Sequence, residues 1–569
     1  MSIRVVVIGA VALGPKAASR CKRLLPDAEV VLIDQGSRIS YGGCGIPYFV
    51  SGEVNRVEEL QSTPYGAIRD ADFFKSHKGV TAMTRTRCTA VNPAAKTVTV
   101  ENVDDGAVST IGYDKLVLAT GSSPNRPPIP GIELEGIGPA TNLDEAEAIR
   151  AEAASGKINN AVVVGGGFIG LELAVALGDM WGIPAAVVEL TDQILPNFLS
   201  GTLARMAAKD LTDNGVSVYT AESVQRFEGE NGRVTKVVTN KREIPADLVI
   251  MAAGVRPNSR LAKDAGLVVT DRGLIVVNEK METSDPDIYA GGDCVTITNQ
   301  VTGKPGWYPL GSMANRQGRV IGSNIAGGDE RFPGAVGSWG VKLFEQNAAG
   351  AGLTLESALR EGFDAVKAHV EQIDKAHFYP EKNLMVLELV VDAASRRVLG
   401  IQGMCADGNA LAARVNAVAP LLSRGALVED ISNLEVLYSP PFAAAMDIVN
   451  VAGNVADNIL GKRLNPMSQE EFERRWAARA DKKDFFVDAR VARDAAPMLD
   501  KYPDDWHSIP QDQIAERLDE IPKDKEVVLV CNTGLRSFEA QLNLDAAGRK
   551  DARSVMGGIS SAKRLGIDI

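Results

Sequence analysis

Two cysteines in this 569-residue chain stand where a thiol can do chemistry. Cys44 lies in Ser40-Tyr41-Gly42-Gly43-Cys44-Gly45-Ile46-Pro47-Tyr48, one sulfur among three glycines and a proline. Glycine lets backbone approach a flat ligand closely, and proline fixes the exit, so the thiol is presented at a defined point. A thiol of this kind is nucleophilic when a helix N-terminus or a nearby positive charge stabilises its thiolate. No second cysteine follows within a few residues, so Cys44 has no local disulfide partner. A lone cysteine must therefore pass an electron pair by cycling between its thiolate and an oxidised form that is a mixed disulfide, a persulfide or a sulfenic acid. Cys531 follows the apolar run 525–530 and opens Cys531-Asn532-Thr533-Gly534-Leu535-Arg536-Ser537. Such a loop curls backbone N–H groups around the sulfur and can hold a thiolate or a persulfide.

The elements that must position Cys44 are two glycine-rich strand-to-helix turns. A strand at 4–8 enters Gly9-Ala10-Val11-Ala12-Leu13-Gly14, a helix runs to about residue 25, and a strand at 29–33 ends on Asp34. This is a dinucleotide-binding βαβ pattern with Val11 at the second glycine position. A second strand, 162–164, enters the full fingerprint Gly165-Gly166-Gly167-Phe168-Ile169-Gly170, with Ala174 one turn on and a strand at 185–188 ending on Glu189. Each turn offers a pyrophosphate site at a helix N-terminus and a carboxylate for ribose hydroxyls. Two carboxylates, and no arginine pair after Glu189, favour NADH over its 2′-phosphate form. Two further strands end in Ala119-Thr120-Gly121 and in Gly291-Gly292-Asp293, the latter followed by a helix over about 309–325.

Taken together, these motifs resemble the two-dinucleotide-domain flavoprotein disulfide reductases. The resemblance implies an α/β chain with FAD- and NAD-binding Rossmann-like domains and an α+β dimerisation domain, while the tail with its Cys531 loop resembles a C-terminal rhodanese-like α/β domain. It places FAD at Gly9, Val11, Ala12, Gly14, Asp34, Gln35, Cys88, Thr120, Gly121, Asp293, Pro309 and Leu310. It places NADH at Gly165, Gly167, Ile169, Gly170 and Glu189, with Phe168 gating the flavin and Gly254 on the returning segment 249–256. The implied domains are 1–150 with 250–330 (FAD), 151–249 (NADH), 331–453 (dimerisation), a linker at 454–469 and the rhodanese-like tail 470–569.

The lone Cys44 resembles the branch holding coenzyme A-disulfide reductases, NADH oxidases and peroxidases, and persulfide or polysulfide reductases. Oxidases and peroxidases of that branch keep a histidine on the first helix; here that stretch carries Lys16, Arg20, Lys22 and Arg23 instead. A basic helix suits the phosphates of coenzyme A, and equally suits a solvated face. Lys16, Arg20, Arg23 and Ser40 form the expected substrate-binding set. In Leu434-Glu435-Val436-Leu437-Tyr438-Ser439-Pro440-Pro441-Phe442 the resemblance gives Tyr438 a catalytic role, reaching toward Cys44 of the partner subunit in a homodimer. Three coenzyme A-enzyme positions differ: Phe378 stands for a tyrosine, Met446 for a lysine and Gly43 for an asparagine. In the tail, Cys531 and Arg536 match a rhodanese loop, whereas Trp506-His507-Ser508-Ile509-Pro510 replaces the usual Gly-His-Ile.

The expected activity is FAD-dependent electron transfer from NADH through Cys44 to a persulfide or polysulfide, coenzyme A persulfide being favoured, with sulfide released. The alternatives are a coenzyme A-disulfide reductase, an NADH oxidase or peroxidase, and a sulfur sensor or relay without turnover. A net charge of −12 argues against a general nucleic-acid binder. Six scattered cysteines and no apolar run of membrane length point to a reducing, cytoplasmic setting. Four histidines without ligand spacing give no metal site.

Overall fold

The structure, a computed structural model, describes residues 3–569, which form two compact units. The first runs to Asp192 and resumes over Gly215–Gly337. Its first sheet is wholly parallel, in the order Ile288–Ala290, Lys115–Leu118, Arg4–Ile8, Glu29–Ile33, Thr81–Met83. A parallel sheet covered on both faces needs apolar residues without alternation. Val5, Val6 and Val7 meet that demand, each fully buried. The helices Leu13–Leu24 and Gly311–Ile325 pack together on this sheet, so closely that a Cβ at Gly318 would lie 2.7 Å from the Leu13 carbonyl. The second parallel sheet runs Val216–Tyr219, Ala185–Val188, Ala161–Val164, Leu248–Met251, Ile137–Gly138.

The second unit comprises Gln193–Asn214 and Ser338–Ile569. It holds an antiparallel sheet in the order Trp339–Lys342, Asn347–Gly352, Val398–Cys405, Leu384–Asp392, Ala365–Ile373. Helices Gly408–Leu422 and Ile448–Leu460 cover it. A five-stranded parallel sheet follows, ordered Pro466–Met467, Ala552–Val555, Glu526–Val530, Asp484–Asp488, Trp506–Ser508. The fold class is therefore the expected one, two Rossmann-like sheets, an α+β domain and a small α/β domain. Among the described residues no helix is long and apolar enough to cross a membrane.

Two stretches differ from expectation. Residues 454–469 are not an open linker: the helix Ile448–Leu460 runs through their first half, and Ser468 caps the helix Gln469–Ala477 by accepting from Glu471 N–H. Polar residues there serve as cap and exposed helix face rather than as chain between domains. Residues 193–214, expected with the NADH unit, belong to the second unit. The Ser200 N–H donates to Gln402 Oε1 at 2.8 Å, Thr202 Oγ1 donates to Glu470 Oε1 at 2.5 Å, and Arg205 pairs with Glu473. Long-range side-chain pairing of that kind leaves no local periodicity.

The segment 434–447 carrying Tyr438 has little secondary structure of its own and is anchored at its end by a buried ion pair. Arg414 meets Asp447 at 2.7 Å and donates to the Asp374 and Phe442 carbonyls at 2.9 and 3.1 Å. Removing one partner of a buried pair leaves an uncompensated charge, at a cost of about 3–5 kcal/mol. Asp447→Ala should lower the thermal unfolding midpoint by that equivalent, and an Arg414→Met/Asp447→Leu double variant should recover part of it.

Candidate active site

The carboxyl ends of four adjacent parallel strands bring together Gly9, Asp34, Thr120-Gly121 and Gly291 to Asp293. The fit to a dinucleotide is steric and electrostatic. A Cβ at Gly14 would lie 1.8 Å from the Gly9 carbonyl, so only glycine lets the first helix start this close to its strand. Val11 is directed outward, 36% exposed, and Ala12 stands just before the first helical residue. The Asp34 carboxylate accepts from the N–H groups of Ala10 at 2.7 Å and Gly36 at 2.8 Å, and burial pushes its carboxyl above the usual range. Burial likewise raises Asp293, which accepts from Ser122 Oγ at 3.0 Å. Thr120 Oγ1 donates to the Asn258 carbonyl at 2.5 Å.

Around this edge lie the other expected contacts. Gln35 accepts from Arg87, and Leu310 is the N-cap residue of Gly311–Ile325, with Pro309 before it. Cys88 lies on an antiparallel sheet, in strand Thr86–Asn92, next to the Arg87 that bonds Gln35, and its thiol donates to the Ala90 carbonyl. The second sheet repeats the device: a Cβ at Gly170 would sit 2.0 Å from the Gly165 carbonyl. Glu189 accepts from Gly166 N–H at 2.7 Å, Gly167 precedes the helix Phe168–Trp181, and Gly254 follows the adjacent strand Leu248–Met251. Ile169 is exposed and Phe168 half-buried on the first turn of that helix. These two edges could hold two dinucleotides.

Cys44 sits in the 3₁₀ turn Gly43–Gly45 immediately before the short helix Ile46–Val50. Its sulfur would be 3.6 Å from a Cβ on Gly311, the first residue of the 15-residue helix Gly311–Ile325. Ser40, upstream, takes a left-handed φ of 54° and is buried, its N–H donating to the Ala10 carbonyl at 2.7 Å. Two helices of the same unit, Leu143–Ala154 and Phe168–Trp181, hold the helix after the cysteine. Arg150 donates to the Phe49, Val54 and Asn55 carbonyls, and Trp181 Nε1 to the Val50 carbonyl at 2.8 Å.

Glu172 was not foreseen from the sequence. It stands four residues after Phe168 on one face of the helix and accepts from Tyr48 Oη at 3.3 Å. Burial pushes its carboxyl up to about 7, while burial and Glu172 push the Tyr48 phenol up to about 12. Burial also raises the Cys44 thiol, and the charges of Glu172 and Asp293 add to it. The spacing after the fingerprint was a usable signal for Glu172; only the tertiary fold pairs it with Tyr48.

On the first helix, Lys16 and Arg23 are exposed, whereas Arg20 donates to Ser323 Oγ at 2.9 Å and meets Glu330 at 3.4 Å. In the second unit Tyr438 is 49% exposed, beside exposed Leu437, Phe442 and Met446. Phe378 is exposed as well. Cys531 is buried, and its sulfur accepts from Gly534 N–H at 3.1 Å with Ser537 Oγ at 3.5 Å. The loop is tighter than expected. The helix Leu535–Ala546 already includes Arg536, because Gly534 turns the chain with a φ of 110°.

Removing the charge of Glu172 should lower the Cys44 thiol, since that carboxylate opposes the thiolate. Glu172→Gln is therefore expected to speed alkylation of Cys44 by iodoacetamide at pH 7, read by peptide mass spectrometry. In the native protein, raising the pH through about 7 ionises Glu172 and works against Cys44 ionisation.

Comparison with known proteins fits this geometry. Residues 3–318 match the model of pyridine nucleotide-disulphide oxidoreductases, 340–448 that family's dimerisation domain, and 473–564 a rhodanese-like domain. The NAD(P)H coenzyme A polysulfide/persulfide reductase of Pyrococcus horikoshii is 33% identical over 80% of this chain and 98% of its own. The structure of a NAD-dependent persulfide reductase from A. fulgidus superposes with a TM-score of 0.92 at 38% identity, over 98% of this chain and 100% of its own. Reduced Bacillus anthracis CoADR-RHD gives 0.90 at 30% identity, over 99% and 98%. With its strand-end cradles and lone cysteine, the chain belongs to the pyridine nucleotide-disulphide oxidoreductases, a family that implies FAD and NAD(P)H, and carries the family's dimerisation domain and a rhodanese-like domain.

Proposed function

We propose that the protein is an NADH-dependent reductase of persulfides or polysulfides, with coenzyme A persulfide its favoured substrate. One observation carries this reading: the free thiol of Cys44 beside the N-terminus of a 15-residue helix, in a chain whose second unit has a sulfur-cradling Cys531 loop. The names of the Pyrococcus and A. fulgidus relatives support the same substrate class.

Gly9, Gly14, Asp34, Thr120, Gly121 and Asp293 would hold FAD, and Gly165, Gly167, Gly170 and Glu189 would hold NADH, with Phe168 gating between them. FAD, when bound, supplies the relay that takes a hydride from the nicotinamide and delivers its electron pair to a neighbouring sulfur. The protein's own part begins with the Cys44 thiolate attacking the carrier's sulfur–sulfur bond. That bond breaks, a mixed disulfide or persulfide forms on Cys44, and Tyr438 of the partner subunit donates a hydrogen bond to the leaving thiolate. Glu172 and Tyr48 set the charge beside Cys44 and hold a proton near it. Arg20 is committed to Ser323 and Glu330, so Lys16 and Arg23 are the residues facing carrier phosphates. Cys531 serves as a carrier of sulfane sulfur, and the chain works as a homodimer in the cytoplasm.

Cys44→Ser should abolish polysulfide-driven NADH oxidation while leaving the bound flavin's absorbance unchanged. Retained turnover would exclude the mechanism. Assays of the native enzyme with coenzyme A persulfide, polysulfide, coenzyme A disulfide and oxygen side by side should rank the first two highest. A charge-assisted hydrogen bond contributes about 1.5–3 kcal/mol. Glu189→Ala should therefore raise the KM for NADH by about 10- to 100-fold, with little change for the sulfur substrate.

A further inference from the structure

A buried polar chain joins the antiparallel sheet of the second unit to the Cys531 loop. Lys367, His369 and Glu371 occupy alternate positions of strand Ala365–Ile373 and so share one face, and His369 stands directly opposite Glu388 on strand Leu384–Asp392. Lys367 Nζ meets Glu388 Oε1 at 2.8 Å, and His369 Nδ1 meets the same oxygen at 3.0 Å. The other ring nitrogen, Nε2, lies 2.8 Å from Ser561 Oγ, which itself donates to Glu371. His369 and Glu371 are nearly inaccessible, and Glu388 and Ser561 fully so. Burial alone would raise Glu388, but the Lys367 charge and the His369 hydrogen bond outweigh it and bring the carboxyl down to about 2.

The helix that bears the far end of this chain is bonded to the Cys531 loop. Ser561 lies on the helix Gly558–Arg564, whose Ile559 and Ser560 N–H groups donate to the Cys531 and Asn532 carbonyls, both at 2.9 Å. No side chain fits between the parts. A Cβ on Gly557 would stand 2.7 Å from His369 Nε2, and one on Gly558 would stand 2.1 Å from the Cys531 carbonyl. Gln469 fastens the same turn, donating to the Met556 and Gly558 carbonyls at 2.7 and 2.9 Å.

We propose that His369 and Ser561, held by Glu388 and Lys367, are positioning residues for Cys531, so that the family's antiparallel dimerisation sheet sets the shape of the rhodanese-type sulfur loop. The inference rests on the sulfur-carrying reading of Cys531. In that reading the Cys531 thiolate takes the outer sulfur of thiosulfate, forming a persulfide and releasing sulfite. Cyanide then removes the sulfur as thiocyanate and restores the thiolate.

The test is thiosulfate-to-cyanide transfer by the full-length protein, with persulfide on the Cys531 peptide followed by mass spectrometry. Ser561→Ala and His369→Ala are expected to lower kcat about tenfold, the scale of one lost hydrogen bond to a charged group, with KM for thiosulfate unchanged. His369→Gln, which keeps a donor toward Ser561, should restore most of the rate, and NADH turnover through Cys44 should not move. Variants that transfer sulfur at the native rate overturn the inference and leave the loop's role standing. A loss that His369→Gln does not restore also overturns it, as a general loosening of the domain. A native protein that forms no Cys531 persulfide overturns the loop's role and the inference together.

Discussion

Backbone touching backbone, with no room for a side chain, is the constraint on which this protein depends. At Gly14 over Gly9, and again at Gly170 over Gly165, a helix begins within contact distance of the strand that feeds it. That closeness brings the helix's first N–H groups to the carboxyl edge of the sheet, where the positive end of the dipole suits a pyrophosphate. The same edge carries Asp34 and Glu189, each already accepting a backbone N–H from its own glycine turn. Edges suited to an anion and to hydroxyls therefore come from one geometric condition, repeated in two sheets.

The sulfur also stands at a helix start: a Cβ on Gly311, the first residue of Gly311–Ile325, would be in ordinary contact with the Cys44 sulfur at 3.6 Å. The helix dipole favours a thiolate, while burial and the carboxylates of Glu172 and Asp293 oppose one. This balance leaves Cys44 responsive to the charge of its neighbours, and Glu172, with its carboxyl near 7, is a neighbour whose charge changes in the physiological range.

The second unit shows what buried charge can do besides stabilise. The stripe of Lys367, His369 and Glu371 alternates along a strand and would ordinarily face water. Here it is covered, and each group is answered by Glu388, Thr202 or Ser561. Apolar residues of similar volume could fill that space at comparable stability. What they could not supply is a fixed direction, and direction is what a helix resting on the Cys531 carbonyl needs.

Much of this was legible in the amino-acid order, because its signals are local. The two glycine fingerprints, their terminal carboxylates, the isolated Cys44 and the strand-Cys-helix pattern at Cys531 each depend on a few neighbouring residues obeying backbone sterics. Those rules sufficed for the fold class and for the likeness that names the family. Pairings between distant segments carried no such local signature. Glu172 finds Tyr48, Arg414 finds Asp447, and His369 finds Ser561 across separations of 124, 33 and 192 residues. The helix Gly201–Asp213 joins the second unit for the same reason, and Arg20, which reads as an available cation, is occupied by Ser323 and Glu330. The order of residues determined which groups could react and which backbone turns would present them. Only the packed tertiary structure decided which charges those groups would feel, since that depends on what distance and burial bring beside them.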